Sequence, residues 1–238
     1  MGPIVQHPVK GTLPDSLGRM LKHGYYASVS YVDACFGRLL DGIEDMGLAD
    51  NTIIAIIGDH GWKLGEHGSW GKMSNYEIDT RVPLIIRAKD LKAKGRGTER
   101  LTELVDVFPT LCELAGIDVA DYLQGTSMVP LLDDPERKWK SAIFSQFHRR
   151  PRVSIDSLRY MGYAMRTERY HYIEWYYWDN DNKLALDYVA SELYDHSIDP
   201  DENINIADDP VNTELVEELS TNLKAGWRSA RPPDLIQN

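Results

Sequence analysis

Apolar residues recur at steps of three and four from Ser16 to Met46, through Leu17, Met20, Leu21, Tyr25, Val29, Val32, Phe36, Leu39, Leu40 and Ile43. That spacing predicts one long amphipathic helix. Asp15 or Ser16 can cap its start and Gly47 can end it, while Gly37 and Gly42 inside it weaken the pattern. Residues 1–14, with three prolines and no periodicity, read as an extended lead-in. The run Thr-Ile-Ile-Ala-Ile-Ile at 52–57 is short, continuous and β-branched, the pattern of a central strand covered on both faces as in parallel α/β sheets. Val82–Arg87 predicts a second strand, with Pro83 near its start. Leu104–Ala115 returns to helical spacing and stops at Gly116.

The second half changes character. Ala142–Phe147 predicts a strand, and Tyr160–Arg166 and Tyr170–Trp175 predict two more around Thr167-Glu168-Arg169. Glu192–Tyr194 predicts one short strand, and Pro210–Trp227 a closing helix. Helix-strand alternation followed by strands and a helix predicts an α/β portion over residues 1–139 and a smaller α+β subdomain over 140–238.

Composition narrows the class without naming it. A chain of 238 residues with 42% hydrophobic and 26% charged residues is ordinary globular protein. No apolar run is long enough for a membrane span, no signal peptide is visible, and a net charge of −11 argues against a nucleic-acid partner. Residues 179–218 hold thirteen acidic residues against Lys183 alone, so that block accounts for the whole of the net negative charge. The remaining body is near neutral and can hold a cationic pocket for an anion.

The candidate chemistry follows the first strand, in Gly58-Asp59-His60-Gly61-Trp62-Lys63-Leu64-Gly65-Glu66-His67-Gly68-Ser69-Trp70-Gly71-Lys72. Sites in open α/β sheets form at the carboxyl ends of strands. Here a strand delivers an Asp and a His into a glycine-rich loop that also holds a second His, a Glu and a Lys. Hard metal ligands and an anion-binding cation are thus close in sequence. Asp59 as a helix cap, His60 as a hydrogen-bonded loop residue and Lys72 as a solvated side chain are the alternatives. A zinc set of His60, Glu66 and His67 lacks the H-E-x-x-H spacing.

Asp59-His60-Gly61-Trp62, Leu64-Gly65-Glu66-His67-Gly68, Trp70 and Lys72-Met73-Ser74-Asn75 resemble the carboxy-terminal half of sulfatases of the alkaline-phosphatase superfamily, most of all the iduronate-2-sulfatase type. Tyr26–Asp33, Arg81–Ile85, Leu104–Leu111, Gly125–Ser127 and Glu192–Asp195 with Asp199-Pro200 extend the likeness over nearly the whole chain. The resemblance implies the rear portion of an alkaline-phosphatase-like mixed sheet flanked by helices, and hydrolysis of sulfate esters on uronate residues of glycosaminoglycans. It implies Ca²⁺, with Asp59 and His60 in the positions of the second pair of calcium ligands; His60 alternatively hydrogen-bonds the sulfate or the nucleophile. Lys72 matches the lysine that contacts sulfate oxygens, making Lys72 and His60 the catalytic candidates. Trp62 and Met73 either face the sugar or simply pack. Glu66 and His67 either shape the loop or donate hydrogen bonds, and are not assigned to the reaction itself.

The resemblance also implies what lies elsewhere. The sulfatase nucleophile is a formylglycine made from cysteine in a Cys-x-Pro/Ala-x-Arg segment. Neither Cys35 in Ala-Cys-Phe-Gly-Arg nor Cys112 in Leu-Cys-Glu-Leu fits, so both are expected to be small core residues. The formylglycine and the first calcium pair are expected on an upstream half, as a separate polypeptide or lost by truncation, and this chain alone is expected to be inactive. The family's substrates place it in the periplasm, outside the cell or in lysosomes. Arg149, Arg150 and Arg152 form a basic stretch able to bind glycan sulfates or carboxylates, or else a solvated loop. Tyr170–Trp178 reads as a half-buried hairpin rather than a sugar platform. The 179–218 block reads as solvated surface, since its Asp pairs lack EF-hand spacing. A phosphodiesterase or phosphatase of the same superfamily, and a non-catalytic anionic-glycan-binding remnant, are the rival readings.

Overall fold

The computed structural model describes residues 13–149 and 159–233, which divide into two compact units: Met1–Lys72 with Arg81–Lys89, and Met73–Thr80 with Asp90–Asn238. The lead-in, apart from its last two residues, lies outside the described residues.

In the first unit α1 spans Asp15–Asp45 without a break at Gly37 or Gly42. Pro14 occupies the position before the first turn and no side chain caps it, so Asp15 contributes as a first-turn acid facing the helix dipole instead of as the cap. The helix stops at Gly47, where Leu48 N–H returns to the Ile43 carbonyl at 3.0 Å. Its apolar stripe is present but open: Met20, Val29 and Leu39 are 63%, 52% and 59% exposed, and Gly18 is its one buried residue.

Strand β1, Ile54–Ile57, pairs antiparallel with β4, Leu84–Arg87, with Ile54 opposite Arg87 and Ile57 opposite Leu84. Among the described residues these two make a sheet of their own, and Ile57 and Ile85 stay largely exposed. The expected parallel arrangement covered on both faces is therefore not found here. A continuous apolar run encodes burial, and it carries no information on which strand pairs with it or in what direction. The β1–β4 connection contains the small hairpin of β2, Lys63–Leu64, and β3, Trp70–Gly71.

The second unit is built on a four-stranded antiparallel sheet in the order β5-β6-β7-β8: Ala142–Arg149, Tyr160–Thr167, Tyr170–Asp179 and Leu184–Asp195. Alternation dictates its two faces. Ala142, Met165, Tyr172 and Leu193 bury on one face with Leu219 and Ala230. Ala164, Ile173, Trp175 and Tyr194 bury on the other with Tyr76. The β6–β7 turn is closed by Thr167, whose hydroxyl accepts the Tyr170 N–H at 2.8 Å. Strand β8 is much longer than the three residues expected: an apolar first half, with Leu184, Leu186, Tyr188 and Val189 exposed, precedes the buried part.

Short helices complete the unit: α2, Glu77–Thr80; α3, Val107–Leu114, after a single turn at Leu104–Asp106; and α4, Val129–Asp133. The closing helix α5 is Thr213–Ala225, flanked by short turns at Pro210–Asn212 and Trp227–Ala230. A buried ionic triad ties α3 to the start of the sheet. Asp106, fully buried, accepts from Lys140 Nζ at 2.7 Å and from the Thr126 N–H at 2.7 Å, and Lys140 also reaches Glu103 at 2.7 Å. Both charges are thus paired and hydrogen-bonded, as burial requires.

Candidate active site

The loop after β1 folds back on itself because its hairpin is short and its turn is set by backbone geometry. Lys63 pairs with Gly71 and Leu64 with Trp70. Between them Gly65, at φ +119°, and His67, at φ +52°, turn the chain, and Gly65 N–H bonds to the Ser69 carbonyl at 3.0 Å. Glu66 accepts the Leu64 N–H at 2.5 Å, so it shapes the loop. His60, Glu66 and His67 do not form a metal-ligand group.

This return path brings Lys72 back to His60. Lys72 Nζ meets His60 Nε2, and His60 Nδ1 lies 2.9 Å from the Gly61 carbonyl. A carbonyl only accepts, so Nδ1 carries the proton and Nε2 presents its lone pair to the Lys72 ammonium. Asp59 Oδ2 stands 3.3 Å from the same Nε2, with its side chain 87% exposed. The Trp62 ring lies 6.3 Å from the His60 ring and packs near Gly71, where an added Cβ would meet it at 3.9 Å. Asp59, His60, Trp62 and Lys72 are therefore one cluster.

The Asp59 carboxylate suits a hard cation such as Ca²⁺, which takes six to eight oxygens. Among the described residues no group of three acidic or histidine ligands surrounds it, so a Ca²⁺ ion held there would need further oxygens from outside this cluster. His60, with one nitrogen on Gly61 and the other on Lys72, is engaged with the lysine.

The remaining candidates lie in the second unit. Met73 is 68% exposed and holds φ +96°, a conformation uncommon for a non-glycine residue. Arg149 ends β5, with its guanidinium 5.8 Å from the Trp175 ring centre. It lines a small cavity of about 220 Å³ with Tyr160, Trp175 and Glu192. Arg150 and Arg152 lie outside the described residues. The Tyr170–Trp178 stretch is a cross-strand aromatic packing: Tyr163–Tyr176 and Tyr176–Tyr188 rings stand 6.0 and 5.9 Å apart. A larger cavity of about 560 Å³ lies against Phe144, Tyr163, Tyr176 and Trp227, where Glu174 is already satisfied by the Tyr172 and Tyr176 hydroxyls. Cys35 and Cys112 are free and half-buried, not core residues.

The acidic 179–218 block is not solvated throughout, which corrects the expectation. Asp195 is buried and takes Arg169 on both oxygens, and this guanidinium holds its carboxyl below the usual range. Glu202 is buried and accepts from His171 Nδ1 at 2.5 Å and His196 Nε2 at 2.8 Å. Burial alone would raise the Glu202 carboxyl; the two histidine hydrogen bonds outweigh it and bring it down to about 2.

Sequence reading missed this cluster because its members come from separate segments. It has the composition of a metal site. The proton positions argue otherwise: Arg166 Nη2 lies 2.9 Å from His196 Nδ1, and arginine has no acceptor, so Nδ1 is bare and Nε2–H donates to Glu202. A metal-bound imidazole instead donates its second nitrogen's proton to an acceptor.

The carboxy-terminal region of the N-sulphoglucosamine sulphohydrolase family matches residues 65–228. Human iduronate 2-sulfatase is 32% identical over 263 residues, covering 88% of this chain and 48% of that protein. N-acetylglucosamine-6-O-sulfatase of Bacteroides thetaiotaomicron is 34% identical over 185 residues, covering 76% of this chain and 31% of that protein. Among solved structures, one described as a complex with its substrate D-glucosamine-2-N,6-O-disulfate aligns with TM-score 0.67 and 32% identity, over 85% of this chain and 40% of that one. The phosphonate monoester hydrolase of Agrobacterium radiobacter aligns with TM-score 0.71 and 27% identity, over 84% and 40%. The chain thus spans about half the length, or less, of the relatives it matches. With the Asp59–Lys72 cluster in place and a family match over most of its length, this chain belongs to the sulfatase family and has the alkaline-phosphatase-like fold.

Proposed function

We propose that this chain forms the rear half of the active site of a calcium-dependent sulfuric ester hydrolase of the iduronate-2-sulfatase type, acting on 2-sulfated uronates in glycosaminoglycans. The observation that carries this reading is the Lys72 ammonium seated on His60 Nε2 beside Asp59. Lys72 faces the sulfate oxygens, and its charge stabilises the negative charge that builds on the ester oxygen as the S–O bond breaks. His60 holds that ammonium in place through its Nε2 lone pair. Asp59 gives an oxygen to Ca²⁺. Trp62 and Met73 border the sugar, and Arg149 with Arg150 contacts sulfates or carboxylates further along the glycan.

The nucleophile, a formylglycine, is supplied in this reading by an upstream half that also completes the calcium shell. The open apolar stripe of α1 and the exposed Ile57 and Ile85 support a partner of that kind. This chain alone is inactive in this account. The work site is periplasmic, extracellular or lysosomal, where such glycans occur; among the described residues no helix is long and apolar enough to cross a membrane.

The match to a phosphonate monoester hydrolase favours one rival, phosphoryl or phosphonyl transfer on the same fold. Joining the chain to its upstream half and comparing an aryl sulfate, a 2-sulfated iduronate disaccharide and an aryl phosphonate monoester separates the two. The sulfatase reading expects the sulfated disaccharide to be turned over best. Preference for the phosphonate ester overturns it.

A further inference from the structure

The small cavity beside Arg149 is built wholly from the four-stranded sheet of the second unit. Its central residue, Trp175, has two small cross-strand partners, Gly162 on β6 and Ala190 on β8. The Trp175 ring lies over Gly162, where an added Cβ would stand 2.7 Å from it. On the other side Ala190 is too small to fill the space. The register slips at the next residue, so Val189 has no partner on β7 and the strand bends there. A void of about 220 Å³ results, lined by Trp175, Ala190, Val189, Tyr160, Glu192 and Arg149. That is below the roughly 300–1,000 Å³ of pockets for drug-sized ligands, so it suits a single ring.

Its polar groups are fixed unequally. Glu192 accepts Trp175 Nε1 at 2.7 Å on one oxygen and the Tyr194 hydroxyl at 2.6 Å on the other. Both oxygens are therefore occupied, and Glu192 pins the indole. Arg149 stands opposite Tyr160 at the end of β5, with its guanidinium 5.8 Å from the Trp175 ring centre. Among the described residues it makes no ion pair. The aromatic ring orients the guanidinium through cation–π attraction, and its N–H fork stays open to an oxyanion.

We propose that Arg149, Tyr160 and Trp175 form a subsite for one pyranose ring carrying a carboxylate or a sulfate. Arg149 takes the oxyanion, and the ring occupies the space over Ala190 against the indole. The proposal rests on the glycosaminoglycan reading and deepens it: the glycan contact of Arg149 is a shaped pocket for one charged sugar instead of a surface charge open to any anion.

The test titrates the full chain with methyl glucuronide, methyl glucoside 6-sulfate, uncharged methyl glucoside and sodium sulfate, following the Trp175 indole N–H resonance. At least one of the two charged sugars should shift it saturably and bind at least tenfold more tightly than methyl glucoside or sulfate ion. Which of the two binds tells whether the pocket reads the carboxylate or the sulfate. Arg149→Ala and Ala190→Leu should each weaken that binding at least tenfold, the first by removing the fork and the second by filling the void. Both residues are exposed, so the fold tolerates both changes. Saturation by neither charged sugar, equal affinity for methyl glucoside or bare sulfate, or affinity unmoved by Ala190→Leu each overturns the proposal. The readout is binding, not turnover. Charged-sugar binding in a chain whose assembled enzyme releases no sulfate would fail the sulfatase reading alone, and sulfate release without that binding would fail this one alone.

Discussion

Lys72 and His60, twelve residues apart, meet through ammonium and Nε2 because the β2–β3 hairpin folds the loop back on itself. His60 thereby spends its one free lone pair on the lysine. His60→Ala should cut turnover of the assembled enzyme by about 10²-fold, the lower end for a positioned proton or hydrogen-bond group. Both partners are near the surface, so stability should move by no more than about 0.5 kcal/mol. Steady-state kinetics beside urea denaturation checks both; a large stability loss with intact turnover would reverse the assignment.

Gly162 is required by close approach. A Cβ there would sit 2.6 Å from Asn75 Nδ2 and 2.7 Å from the Trp175 ring, both on the buried face of the sheet. Gly162→Ala should therefore destabilise the chain by about 1–3 kcal/mol, the usual range for overpacking. The shift appears as a lower urea midpoint at unchanged slope. Shortening Asn75 to Ser in the same chain removes one clash and should recover part of the loss.

Acid sensitivity follows from Glu202. Its carboxyl is held at about 2, below the ordinary value of 4.5. A depressed carboxyl contributes stability that is fully present above the unfolded value and lost as pH falls toward the folded one. The contribution is on the order of 3 kcal/mol, so Glu202→Gln should cost that much at pH 6 and progressively less from pH 4.5 down to 2. Denaturant melts across that range check it: a cost independent of pH would show that charge is not what Glu202 supplies.

Much of this architecture is legible residue by residue. The three-four spacing marks α1, and Gly47 marks its end. The Tyr-, Trp- and β-branched runs on either side of Glu168-Arg169 mark β6 and β7, because both faces of those strands are buried. The first half of β8 is apolar in sequence yet exposed in the structure, at Leu184, Leu186, Tyr188 and Val189, so composition there does not report burial. The direction of β1 pairing is equally silent, since burial alone shapes its composition. In the site, the loop spacing left metal and anion chemistry open, and the resemblance to sulfatases pointed to Lys72. Two members of the His171–Glu202–His196 cluster were hidden inside an acidic stretch that looks solvated in one dimension, and the third comes from β7. Charges that fold inward there are indistinguishable in sequence from those that stay in water.

Sulfate release by the assembled enzyme with Lys72 changed to Met tests the central claim most directly. The account predicts a fall in kcat of about 10²–10³, the range for removing one group aimed at developing charge, with Ca²⁺ binding and thermal midpoint retained. It also predicts no sulfate release from this chain by itself. Turnover within twofold of the parent enzyme after Lys72→Met would contradict the claim that this lysine serves the sulfate.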